Sequence, residues 1–94
     1  MKNIYCLQNK LSGTFMIPFF DANDWESVKR YHHDFIIVSP DEAKQKSLQI
    51  SLLWHLGKYD DLIGKFEIFD VPEYYDLAEA FNQLDALKRS LGNE

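Results

Sequence analysis

Residues 48–69, LQISLLWHLGKYDDLIGKFEIF, constrain this chain more than any other stretch. Leu48, Ile50, Leu52, Trp54 and Leu56 recur at every second residue. A period of two places them on one face of a β-strand, and their uniform apolarity predicts that this face is buried. Residues 57–64 read as the closing loop. Asp60 and Asp61 are turn formers there, because carboxylates bond nearby backbone amides, and Gly57 and Gly64 admit positive φ. Phe66 and Ile68, alternating with Lys65 and Glu67, give the return strand.

The flanking segments supply the other elements. Residues 3–8 (NIYCLQ) carry a short strand pattern and residues 9–13 a turn. Residues 14–20 (TFMIPFF) form a second strand, which Pro18 ends or confines to an edge because it lacks an amide donor. Asn23, three residues before Glu26, reads as the cap and capping-box partner of a helix over residues 24–35. Ile36, Ile37 and Val38 then leave the helix as an apolar crossover. Ser39, Pro40 and Glu42 specify the start of a short helix near residues 40–46. Asp70, Val71 and Pro72 repeat that grammar, which predicts a last helix with Leu77, Phe81, Leu84, Leu87 and Leu91 as its apolar stripe. Lys88 and Arg89 suit the negative end of its dipole, and Gly92 the position beyond.

The order is ββα-ββα. The predicted fold class is α+β: a four-stranded, mostly antiparallel sheet with two long helices on one face, plus the short helix near residues 40–46. The 94 residues make a single domain, 1–94, with one modest core. Cys6 is the only cysteine, so no internal disulfide forms, and its place in a strand pattern makes it a packed side chain in a reducing compartment. No apolar run approaches the roughly 20 residues needed to cross a bilayer, and the amino-terminal stretch does not read as an export signal. No membrane partner is expected. A net charge of −5 argues against a broad phosphate-binding surface, so any nucleic-acid contact needs a local basic patch or a partner protein.

Chemistry is sparse. His32 and His33 are adjacent and diverge by about 100° on a helix, so they cannot chelate one ion together. His55 stands alone on a strand, and no Cys/His spacing suits zinc. No glycine-rich phosphate loop or nucleophile motif occurs. The expectation is a non-enzymatic protein without cofactor or metal. Two surfaces remain as candidates. On the first helix Lys29, Arg30 and His33 share a face with Glu26, either as a solvated side with a Glu26–Arg30 pair or as a small phosphate patch with Tyr31 nearby for stacking. Lys44 with Lys46, and Lys88 with Arg89, are lesser candidates. On the sheet, the face away from the helices should carry Thr14, Met16, Leu53, His55, Lys65 and Glu67. This surface is too apolar to lie idle. Met16, Leu53 and His55 there are assigned to a homodimer interface. The competing reading is a stacking platform for single-stranded bases, which Leu53 and Met16 disfavour because such a platform needs flat rings.

Pro18-Phe19, Asn23-Asp24 and Arg30, followed by Leu56-Gly57-Lys58-Tyr59-Asp60-Asp61 and Gly64, resemble the small non-structural protein of gokushoviruses, single-stranded DNA bacteriophages of the Microviridae. The Ile4-Tyr5 strand with its turn is similar too. The resemblance extends from about residue 2 to 70 and is weaker over residues 36–48. It implies a part in viral DNA replication in the cytoplasm of the bacterial host. The role would be like that of the microvirus protein that stops double-stranded replication and commits the complex to single-stranded genome synthesis and packaging. The implied partners are single-stranded DNA, the phage replication initiator or the procapsid. No family site residues transfer with it.

Overall fold

The computed structural model describes residues 1–38, 41–80 and 82. In chain order the elements are β1 (Lys2–Asn9), β2 (Phe19–Asp21), α1 (Trp25–Val38), α2 (Glu42–Gln49), β3 (Ser51–Asp60) and β4 (Lys65–Asp76), after which residues 78–80 are helical. All strand pairs are antiparallel, in the order β2-β1-β3-β4. The protein is therefore α+β with a four-stranded antiparallel sheet, as the sequence predicts.

Several boundaries differ from expectation, each for a local reason. The second strand is only Phe19–Asp21; before it, residues 14–18 form one isolated bridge with β1, Gln8–Phe15, in place of a ladder. Pro18 stands immediately ahead of the paired residues, so it forfeits no ladder bond. The cap of α1 is Asp24 rather than Asn23: its carboxylate accepts the Ser27 amide at 2.8 Å, while Asn23 donates to Asp21. Residues 36–38 stay in α1, because Ile36 points into the core and is fully buried. Asp41 caps α2, accepting the Lys44 amide at 3.1 Å; the expected Ser39 cap and Pro40 lie outside the described residues.

Strand β3 runs on through Gly57 to Asp60, and the turn is residues 61–64 alone, with the Asp60 carboxylate accepting the Leu62 amide and Gly64 at a φ of 68°. Asp70 does not cap a helix. Strand β4 continues past Pro72 to Asp76, whose carboxylate accepts the Ala78 amide at 3.0 Å as the chain becomes helical. Pro72 is tolerated because β4 is an edge strand and residues 69–72 bulge out opposite Leu56 alone. The stripe positions Phe81, Leu84, Leu87 and Leu91, with Lys88, Arg89 and Gly92, lie outside the described residues.

The largest departure concerns the faces of β3. The core comprises Tyr5, Val28, Ile36, Leu53, Leu77 and Ala80, with Leu7, Phe19, Trp25, Leu48 and Tyr75 packed against it. Leu53 and His55 therefore face the helices, and Leu52 and Trp54 face away. The polar members of the buried set are satisfied where they lie: the Ser51 hydroxyl donates to the Ser47 carbonyl at 2.9 Å, and His55 meets the Asn3 side chain at 3.1 Å. Leu56 is an extra residue against β1, since Tyr5 pairs with His55 and Ile4 with Gly57. That bulge flips the alternation, so Tyr59 returns to the open face beside Phe20 and Phe66.

Candidate functional site

The first-helix residues Lys29, Arg30 and His33 do come together, lining an open depression of about 550 Å³ with Asp24, Glu26, Asp34 and Tyr75. The electrostatics do not suit phosphate. Lys29 is held 2.9 Å from the Glu26 carboxylate and lies over the Trp25 ring, 5.0 Å from its centroid. His33 sits 3.3 Å from Asp34. Two hydrogen bonds from Ser27 hold the Asp24 carboxyl below the usual carboxylate range, so it stays charged. Three carboxylates thus share the depression with two permanent cations. The expected Glu26–Arg30 pair is replaced by Glu26–Lys29. Tyr31 turns elsewhere, edge-on to His32 at 5.6 Å, and lines a second depression with Phe35, Lys44 and Leu48.

The sheet residues divide differently from expectation as well. Leu53 is fully buried and His55 is only 9% exposed, both beneath the helices, whereas Met16 is 60% exposed. Leu53 and His55 are thus not on the open face, because a one-residue change of face moves every side chain of a strand to the other side. His55 is enclosed by rings: Tyr5 at 5.0 Å, Trp25 stacked at 5.5 Å and Phe69 edge-on at 4.8 Å. The Asn3 amide nitrogen donates to the Asn23 carbonyl, so its oxygen faces His55 Nε2, which therefore carries the proton. Burial pushes the His55 pKa down, with Lys58 acting in the same direction and Glu73 and Gly57 opposing.

What the open face carries instead is a set of flat rings. Trp54 packs between Phe15 at 6.1 Å and Tyr74 at 5.0 Å, and its indole nitrogen donates to the Gln8 side-chain oxygen at 2.8 Å. Gln8 donates in turn to the Gly13 carbonyl, which fixes the indole plane. A second cluster joins Tyr59 to Phe66 at 4.7 Å and to Phe20 at 5.4 Å. Phe15, Phe20, Phe66 and Tyr74 are all about half exposed, and Met16, Ile17 and Ile68 are exposed beside them. Sequence reasoning placed Trp54 in the core and Phe66 with it, and did not single out Tyr59 or Tyr74. The available signal was that Ser51 and Gly57, small and easily covered, alternate with the bulky set.

Among the described residues no group of His, Cys, Asp and Glu is placed to hold a metal, and no helix is long and apolar enough to cross a membrane. No protein-family model, curated protein or solved structure matches this chain.

Proposed function

We propose that this protein is a non-enzymatic phage regulator of viral DNA replication that binds single-stranded DNA through the open face of its sheet. It would act at the switch from double-stranded replication to single-stranded genome synthesis and packaging. The observation that carries the DNA contact is the presence on one face of six rings, Phe15, Trp54, Tyr74, Phe20, Tyr59 and Phe66. Every base has a π face, and stacking on an aromatic side chain contributes about 1–3 kcal/mol per base whatever the sequence. The objection that a base platform needs flat rings is met once Leu53 is under the helices and Trp54 is not. The pathway and the bacterial cytoplasm come from the gokushovirus resemblance. The contact moves from the Lys29/Arg30/Tyr31/His33 helix to the sheet.

A second reading has its own support. Ile68 is exposed on the same face of β4 as Phe66, and Met16 and Ile17, which follow Phe15 in the chain, are exposed apolar residues; protein interfaces are enriched in aromatic residues and Met while depleted of charge at their centre. On this reading the protein is an adaptor, or a homodimer, that docks on the replication initiator, the procapsid or host machinery without touching DNA. Fluorescence anisotropy of a labelled single-stranded oligonucleotide decides between them, with a sizing run alongside. A rise on titration at low salt, absent with duplex, supports the DNA reading. No rise at low salt removes it and leaves the adaptor.

A further inference from the structure

Strand β4 ends one side of the sheet, and among the described residues no strand pairs with its outer edge. Such an edge presents unpaired amides and carbonyls, a template for a further strand. The two halves of β4 treat that edge differently. Beyond Ile68 the strand carries Pro72 and the bulge at residues 69–72, both of which hinder pairing. Residues 65–68 carry neither: they pair with residues 60–57 of β3 without a shift, and all four are exposed. Among the described residues neither Lys65 nor Glu67 takes part in an ion pair. The adjoining turn exposes Leu62 and Ile63, where polar residues would be expected.

Charge decides what this edge fits. On the face that carries the helices, Lys65 lies opposite Asp60 and Glu67 opposite Lys58. A second copy related by a two-fold axis normal to the sheet pairs antiparallel, and opposed residues must share a face, so each register is centred on one residue. Centring on Lys65 or on Glu67 sets like charges directly against each other, which is destabilising. Centring on Ile68 runs the pairing into the bulge. Centring on Phe66 sets Lys65 of each copy against Glu67 of the other, and completes rows of alternating sign across the join: Asp60, Lys65, Glu67, Lys58. The same register opposes the two Phe66 rings and brings Leu62 and Ile63 of each turn up to the exposed Ile68 and Val71 of the other copy. We infer that Lys65–Ile68 is a homodimer interface, joining two copies of this chain, β4 to β4 and centred on Phe66, into one eight-stranded sheet. The dimer contact expected of Met16, Leu53 and His55 moves to the sheet edge. The open face stays uncovered, and the Phe20, Tyr59 and Phe66 rings of both copies form one strip across the join. The interface stands whether or not that face binds DNA.

Analytical ultracentrifugation over a dilution series tests this. The unaltered protein should reach twice its 11.1 kDa chain mass. Lys65→Glu and Glu67→Lys each oppose like charges at both ends of the contact, and each should weaken dimerisation by about tenfold or more. Mixed in equal amounts, the two variants should dimerise with each other, because every like pair becomes an opposite one. Each variant also opposes like charges within its own hairpin, so urea midpoints confirm folding, and recovery in the mixture excludes misfolding as the cause. In the unaltered protein, amide exchange over residues 65–68 should slow as concentration rises into the dimer range. A protein that stays monomeric throughout overturns the inference. So does a dimer that both single variants retain, a mixture that stays monomeric, or exchange at residues 65–68 that ignores concentration. None of these readouts involves DNA, so their failure leaves the proposed function standing.

Discussion

The indole nitrogen of Trp25 donates a 2.8 Å hydrogen bond to the Glu73 carboxylate, tying the first residue of α1 to the edge strand just beyond the β4 bulge. The same ring stacks on His55 and lies under the Lys29 ammonium. Trp25 therefore joins the helix, the central strand and the edge strand at one point.

Breaking that tie should loosen the edge. Glu73→Ala removes the acceptor and should lower unfolding free energy by about 1 kcal/mol, the usual net worth of one such bond. Glu73→Gln keeps an acceptor oxygen and should lose less. Urea denaturation of the two variants against the unaltered protein checks the order, and an equal loss in both would show that charge rather than the hydrogen bond matters.

Two glycines of the hairpin should fail for different reasons. At Gly57 a Cβ would overlap the Glu67 carbonyl oxygen and lie 2.9 Å from the Ile68 Cα, both rigid backbone. At Gly64 a Cβ meets nothing within 4 Å, but φ is 68°. Gly57→Ala is then an overpacking change costing about 3 kcal/mol, while Gly64→Ala costs about 1–2 kcal/mol for the left-handed backbone. Gly64→Asn should recover part of that loss, since Asn tolerates this conformation, whereas Gly57→Asn should be no better than alanine. Melting temperatures of the four variants report the contrast.

The same stretch shows what the sequence could and could not specify. Period-two alternation identified β3 and β4 because it depends only on the pleat. It misassigned the faces because β3 is apolar on both: Leu53 is buried while Leu52 and Trp54, equally apolar, stay half-covered. What decides the matter lies outside the strand. Trp25 stacks on His55 from one side, and Ser51 binds the last turn of α2, so the less apolar residues have the better partners. The bulges at Leu56 and at residues 69–72 carry no local signature beyond Gly57 and Pro72, which read equally well as loop and helix signals. The lysine–carboxylate pairing on α1 was legible in kind, as a Glu26 pair, but not in its partner.

Cys6 should be chemically silent in the folded protein. It is 1% exposed, its thiol donates to the Met16 carbonyl oxygen at 3.0 Å, and burial pushes its pKa up, which disfavours the reactive thiolate. Iodoacetamide labelling followed by mass spectrometry should find it unmodified under native conditions and fully modified in urea. Rapid native labelling would show that residues 15–16, which lie over this part of β1, open readily.

The His55 environment predicts a pH response with a definite sign. Its folded pKa lies below the ordinary value of 6.5, chiefly because burial disfavours the charged ring. The groups facing it are Lys58 on its own strand, which also disfavours charge, Glu73 on β4 and the Gly57 backbone, which favour it, and uncharged Asn3 on β1, which accepts from Nε2. The unfolded chain therefore takes up a proton at higher pH than the folded one. Above 6.5 both states hold a neutral ring and the group contributes no pH dependence. As pH falls through 6.5 the unfolded state is favoured, and stability declines until the folded pKa is reached. Asp24 and Asp76 have carboxyl pKa values lowered below 3.8, so their losses fall in a more acidic range. Urea midpoints should accordingly decline between neutral and mildly acidic pH in the unaltered protein. They should stay flatter over that window in His55→Asn, even though that variant is less stable throughout. Parallel slopes in the two proteins would assign the decline to other groups.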